Sequence, residues 1–82
     1  MDAAQTLVDN GYEDVIIFDN LSYDDALVGV SDDGRAIYDY NLMVEWYMRA
    51  QNATEEEAVE WIDYNTLGAK IENGPIVMYR LQ

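Results

Sequence analysis

Ser31-Asp32-Asp33-Gly34 lies between two short apolar runs, Ala26 to Val30 and Arg35 to Tyr38. An Asp-Gly pair in that setting is a strong short-range hairpin signal, because Gly34 supplies the positive φ that a tight reversal requires. It commits the middle of the chain to two antiparallel strands and excludes an all-helical fold. Beyond the hairpin the apolar period changes to that of a helix. Asn41 to Gln51 reads as one helix, with Asp39 or Asn41 as its N-cap. Thr54 with Glu57 three residues on is a capping box opening a second. That helix runs to about Leu67 and sets Ala58, Trp61, Ile62 and Asn65 on one face, with Val59 beside them. Gly68 or Asn73-Gly74 ends it. Pro75 suits the first residue of a strand, and Ile76 to Leu81 reads as the last one.

Upstream of the hairpin, residues 2–10 read as a short helix with Ala3, Ala4, Leu7 and Val8 on one side and Gly11 ending it. Asp14 to Phe18 is a β-branched run and reads as a buried strand, followed by turn chemistry at Asp19-Asn20-Leu21-Ser22. The whole is one α+β domain over residues 1–82: a small antiparallel sheet of about four strands packed against two main helices, plus the short N-terminal helix. The expected core is Val15, Ile17, Leu27, Val30, Ile37, Met43, Trp46, Ala58, Trp61, Ile62, Ile76 and Met78.

Charge narrows the function. Seventeen Asp and Glu stand against four Lys and Arg, a net charge of −13. Such a field repels nucleic acid and anionic lipid and attracts basic protein surfaces. The chain has no Cys and no His, which removes disulfides, thiolate chemistry, the usual zinc and haem ligands and the commonest general base near neutral pH. Ser22 and Ser31 therefore have no triad partner. Reading Gly34 as the glycine of an EF-hand loop puts Gly29 and Ser31 where carboxylates belong, so calcium is not supported. The glycines form no phosphate cradle. Paired carboxylates suit glycosidic chemistry, but a domain this small offers little room for a saccharide cleft. The residues point away from an enzyme, and call for no cofactor and no metal. No apolar run approaches the roughly 18 residues of a membrane span, and the start is acidic rather than basic, so a cytoplasmic protein is expected.

The acids are unevenly spread. Residues 1–41 hold ten acids and one base, while residues 42–82 hold seven acids and three bases. In the first part they recur as pairs, Glu13-Asp14, Asp24-Asp25 and Asp32-Asp33, with Asp39 following. Solubility alone asks for a net charge of only about 2–8 in a small domain. Asp24, Asp25, Asp32, Asp33 and Asp39 are thus candidate contacts to a basic partner, with Glu56, Glu60 and Asp63 continuing an acidic stripe on the second helix. Glu55-Glu56-Glu57 has a simpler cause, since carboxylates in a first helical turn are favoured by the macrodipole. Leu42-Met43-Val44-Glu45-Trp46-Tyr47-Met48 is apolar nearly all round its helix, broken only by Glu45 and Arg49 at the spacing that pairs best. So wide an arc is hard to bury in one small chain, which makes Val44, Tyr47 and Met48 candidates for a homodimer or partner interface. Asn65 faces the apolar side and is expected to satisfy backbone groups where its helix meets the sheet.

Ala-Leu-Val-Gly-Val-Ser-Asp-Asp-Gly-Arg-Ala-Ile-Tyr-Asp-Tyr (26–40), Thr-Glu-Glu-Glu-Ala-Val-Glu-Trp-Ile-Asp-Tyr-Asn-Thr (54–66) and Gly-Pro-Ile-Val-Met-Tyr-Arg-Leu (74–81) together resemble small acidic proteins of Firmicutes, their phages and mobile elements. The resemblance implies a context and no chemistry: a cytoplasmic bacterial or phage protein, in a setting where acidic inhibitors of host defence are frequent. It carries no site residue across. Two functions fit this charge. One is a DNA-mimic inhibitor occupying the nucleic-acid groove of a defence nuclease, in anti-CRISPR or anti-restriction fashion. The other is an acidic adaptor or antitoxin-like module that neutralises one basic protein partner.

Overall fold

The computed structural model of the protein describes residues 2–18, 21, 23–67 and 72–81. It is α+β, and among the described residues it has three helices, α1 (Ala3–Asp9), α2 (Tyr40–Gln51) and α3 (Glu55–Trp61), and three strands, β1 (Leu27–Val30), β2 (Ala36–Asp39) and β3 (Ile76–Met78). The sheet order is β1-β2-β3. β1 and β2 form the expected antiparallel hairpin, with a bulge between Leu27 and Gly29. The amide of Gly34 donates to the Ser31 carbonyl at 3.0 Å, and Gly34 sits at φ +83°. A turn followed by a left-handed glycine is the common three-residue hairpin loop. Ser31 Oγ also donates to the Asp33 carboxylate and accepts from the Arg35 amide, which stiffens the reversal.

Two expectations for the sheet need correction. It has three strands rather than about four, because the run Asp14 to Phe18 forms no strand. That run has the β-branched composition of a strand, but propensity without a neighbouring backbone to pair with does not make one. Its side chains still work, since Val15 and Phe18 pack against the core while Ile16 stays 40% exposed. The sheet is also mixed. β3 runs parallel to β2, pairing Ile37 with Ile76 and Asp39 with Met78, because α2 and α3 carry the chain back across the sheet before β3 begins. The last strand stops at Met78, and Tyr79, Arg80 and Leu81 lie outside it and exposed. The expected turn residues Asp19, Asn20 and Ser22, and Gly68 as a helix stop, fall outside the described residues.

The helices follow their signals closely. Asp39 caps α2 by accepting from the Leu42 amide, and Asn52 closes it in the left-handed conformation. The Thr54 and Glu57 capping box is complete, with both reciprocal bonds present. Past Trp61 the helix widens into a π turn over Ile62–Thr66. Asn65 satisfies a backbone group as expected, though the acceptor is the Trp61 carbonyl one turn back rather than the sheet.

The core centres on aromatic residues. Tyr23, Tyr38, Met43 and Ile62 are its largest fully buried side chains, with Ala26, Ala36, Val44 and Ala58 between them. Of the expected core, Met43, Ala58 and Ile62 are fully buried, while Val15, Leu27, Trp46 and Trp61 pack against it from the edge. Val30, Ile37, Ile76 and Met78 are only partly buried, because three short strands cannot be covered on both faces. The rings of Phe18, Tyr23, Tyr38 and Trp46 meet edge-on or tilted at 4.9–6.4 Å. Tyr23 has a positive φ of 48°, costly for an aromatic residue, and is held there by a buried 2.7 Å hydrogen bond shared with the Thr66 hydroxyl. The Tyr38 hydroxyl is buried with no partner of good geometry, and burial above all pushes its pKa up to about 12.

Candidate protein-binding surface

The acidic residues divide into those turned into the fold and those left on its surface. Asp39, one of the expected partner contacts, is 2% exposed. One carboxylate oxygen caps α2 at 3.2 Å from the Leu42 amide, while the other meets Arg80 Nε at 2.6 Å. It is a structural residue and is withdrawn from the binding surface. Asp24 opens a short 3-10 turn over Asp24–Ala26, is half-buried, and accepts from the Ala3 amide at 3.0 Å. It satisfies one of the free amides at the start of α1, Asp2 taking the next, and so ties the N-terminal helix to the middle of the chain. Asp25 pairs with Arg49 at 3.1 Å on the surface. The Arg49 guanidinium therefore reaches across the fold to Asp25, whereas the expected partner one turn back, Glu45, offers it only a backbone carbonyl at 3.5 Å.

Asp32 and Asp33 stand exposed at the hairpin tip, and Glu56, Glu60 and Asp63 are exposed on the helical side. These five expected contacts keep their accessibility. Asp63 accepts a 2.9 Å hydrogen bond from the Tyr40 hydroxyl, and Tyr40 stacks at 4.9 Å on Tyr79. Burial first, then the bond to Asp63 and its charge, push the Tyr40 hydroxyl up to about 12. Glu57, by contrast, is held below the usual carboxylate range by the backbone amide of Thr54.

The apolar arc of α2 is largely closed. Val44 is 8% exposed and belongs to the core, which removes it from a candidate dimer interface. Tyr47 and Met48 are half-buried against the core edge, Tyr47 packing on Trp61 with ring centres 5.2 Å apart. α3 supplies the cover that composition alone did not foresee. The exposed aromatic side chains lie elsewhere, at Tyr12 (45%), at Tyr64 (82%), next in sequence to Asp63, and at Tyr79 (62%), which meets the Asp63-bonded ring of Tyr40. Sequence reasoning passed over them, although seven tyrosines in a chain this short are a signal for surfaces that bind protein.

All three described arginines have partners inside the chain: Asp25 for Arg49, Asp39 for Arg80, and the Gly74 carbonyl, 2.8 Å from Arg35 Nε. Every described acid other than Asp24 and Asp39 is exposed. Among the described residues no three acidic side chains converge to hold a metal ion, and no helix is long and apolar enough to cross a membrane. No protein-family model matches the chain, and comparison with curated proteins and with solved structures finds no match.

Proposed function

We propose that this protein acts by protein–protein binding, as an acidic module that seats on a basic surface of its partner in the bacterial cytoplasm. The observation that carries this reading is the pairing of its few bases: with each described arginine engaged internally, the exposed carboxylates other than Asp25 have no described arginine to compensate them. Exposed Tyr64 and Tyr79 supply rigid contact area suited to lysine and arginine side chains. On this reading the protein is an acidic adaptor or antitoxin-like module.

A second reading, the DNA-mimic inhibitor of a defence nuclease, draws on the exposed run Glu55, Glu56, Glu60 and Asp63. The hairpin side contributes less to a mimic, since Asp24, Asp25 and Asp39 are held by partners within the chain.

The test is capture of partners from bacterial lysate, followed by competition with duplex DNA for each one captured. A basic partner released by salt, and lost when Asp32, Asp33, Glu56 and Glu60 are all replaced by their amides, supports the module. DNA competition separates the two readings, because a partner that holds DNA and this protein together excludes the mimic. If the amide variant captures the same partners unchanged, acid-driven binding is wrong.

A further inference from the structure

We propose that the groove between α1 and β1 takes an extended basic segment of a partner protein, which joins the sheet as a strand alongside β1. β1 ends the sheet, with β2 on one side only, and among the described residues no backbone hydrogen bond reaches its outer edge. Open edges are usually blunted by charged side chains or proline. Leu27-Val28-Gly29-Val30 has neither, whereas β3, at the opposite edge, has only three residues and follows Pro75. Among the described residues, β1 is shielded by α1 across the groove and by the bulge at Val28, whose side chain is nevertheless 49% exposed.

The groove has a volume of about 270 Å³ and is lined by Leu7, Tyr12 and all four residues of β1. Successive residues of a strand point to opposite faces, so a groove that touches four in a row follows the backbone edge rather than one face. Its volume lies below the range of about 300–1,000 Å³ typical of small-molecule sites. Gly29 has no side chain to hold a second backbone away, and an added Cβ there would meet nothing within 4 Å. These are the requirements of strand addition: main-chain bonds for affinity and alternate side chains for selectivity.

Charge sets the occupant. The lining itself holds no charged residue, but exposed Asp9, which accepts from the Gln5 side-chain amide at 2.7 Å, and exposed Glu13 and Asp14 lie within two residues of it in sequence, in a chain of net charge −13. A segment alternating β-branched residues with lysine or arginine would set the former against Leu7, Tyr12 and Val28 and leave the latter in the acidic field of the surrounding surface. A second copy of the chain would bring another net charge of −13 to the same edge. The sign of the occupant's charge rests on the acidic-module reading; the strand geometry does not.

The probe is a synthetic peptide alternating valine and lysine, compared with the same peptide N-methylated at every residue, which keeps the charge and has no amide left to donate on either edge. Expected are slowed hydrogen exchange at those amides among Val28, Gly29 and Val30 that face away from β2, and binding about tenfold weaker for the methylated peptide. Asp9→Asn with Glu13→Gln should weaken both peptides by a few-fold at low salt. Equal binding of the two peptides overturns strand addition while leaving acid-driven binding intact. Exchange that slows only on α3 does the same. Binding of neither overturns the proposal, and so does protection of β1 that rises with protein concentration in the absence of peptide, which would identify a second copy as the occupant.

Discussion

Asp24, Asp25 and Asp39 on one side, and Glu55, Glu56 and Glu60 on the other, carry the same chemistry into different settings. The first group lies where chain segments distant in sequence meet, and each of its carboxylates has a partner at least three residues away: the Ala3 amide, Arg49, and the Leu42 amide with Arg80. The second group lies on the outer side of α3 and is exposed. A carboxylate is retained in a fold either for the bond it accepts or for the field it projects, and burial tells the two apart. Asp39 at 2% exposure must be bonded, since an unpaired buried charge would cost several kcal/mol. Glu60, on the surface, need not be.

Replacing Asp39 tests the difference most severely. Asp39→Ala removes the cap of α2 and the charged bond to Arg80 together, and should cost about 2–3 kcal/mol in urea unfolding. Asp39→Asn keeps an acceptor for the Leu42 amide and should recover about 1 kcal/mol of that. Near-wild-type midpoints for both would erase the distinction drawn between the two groups. Asp24→Ala comes next, at about 1 kcal/mol, with hydrogen exchange at Ala3 accelerating before any other helical amide.

The capping box gives the corresponding test on the α3 side. Thr54→Ala should cost about 1 kcal/mol. Because the Glu57 pKa is lowered in the folded state, its contribution is present above its unfolded pKa and is lost as pH falls through the folded value. An acid titration of helicity should therefore show a loss below the ordinary glutamate range that Glu57→Gln abolishes. Smaller still is Glu60→Gln, expected to leave the unfolding midpoint within about 0.5 kcal/mol while weakening partner capture.

This division of the acids was only partly legible in the sequence. The signals that succeed are local: Asp33-Gly34, Thr54 with Glu57, and Asp39 as an N-cap all act within four residues, so composition and spacing determine them. Asp39 was readable as a cap and, separately, as a surface acid, and only the position of Arg80 beyond β3 decides between these. Asp25 and Arg49 meet for the same long-range reason, against the local expectation of Glu45 with Arg49. The run Asp14 to Phe18 has strand composition, but its pairing depends on where other backbones lie. Tyr23 and Tyr38 were missed as core because a tyrosine's burial depends on its ring neighbours, here Phe18 and Trp46, and on what its hydroxyl meets.

Asp63 lies between the two groups, exposed like the acids of α3 yet bonded like Asp39, and its partner allows the finest test. Tyr40 and Tyr38 both have hydroxyls raised to about 12, but from different mixtures of causes. Burial leads in both, and at Tyr40 the hydrogen bond and charge of Asp63 add to it. A tyrosine raised in the folded state favours the protonated form, so its stabilisation is present below the unfolded value of 10.0 and is lost as pH rises from there towards about 12. Asp63→Asn removes the negative charge and keeps an oxygen able to accept from the hydroxyl. Ultraviolet titration of the variant should show one tyrosine moving down from about 12, staying above 10.0 because burial persists, while Tyr38 does not move. The variant should also lose less stability than the wild type across that pH interval. If two tyrosines still titrate near 12 in Asp63→Asn, the carboxylate does not hold Tyr40, and Asp63 belongs with Glu56 and Glu60 as a charge facing only outward.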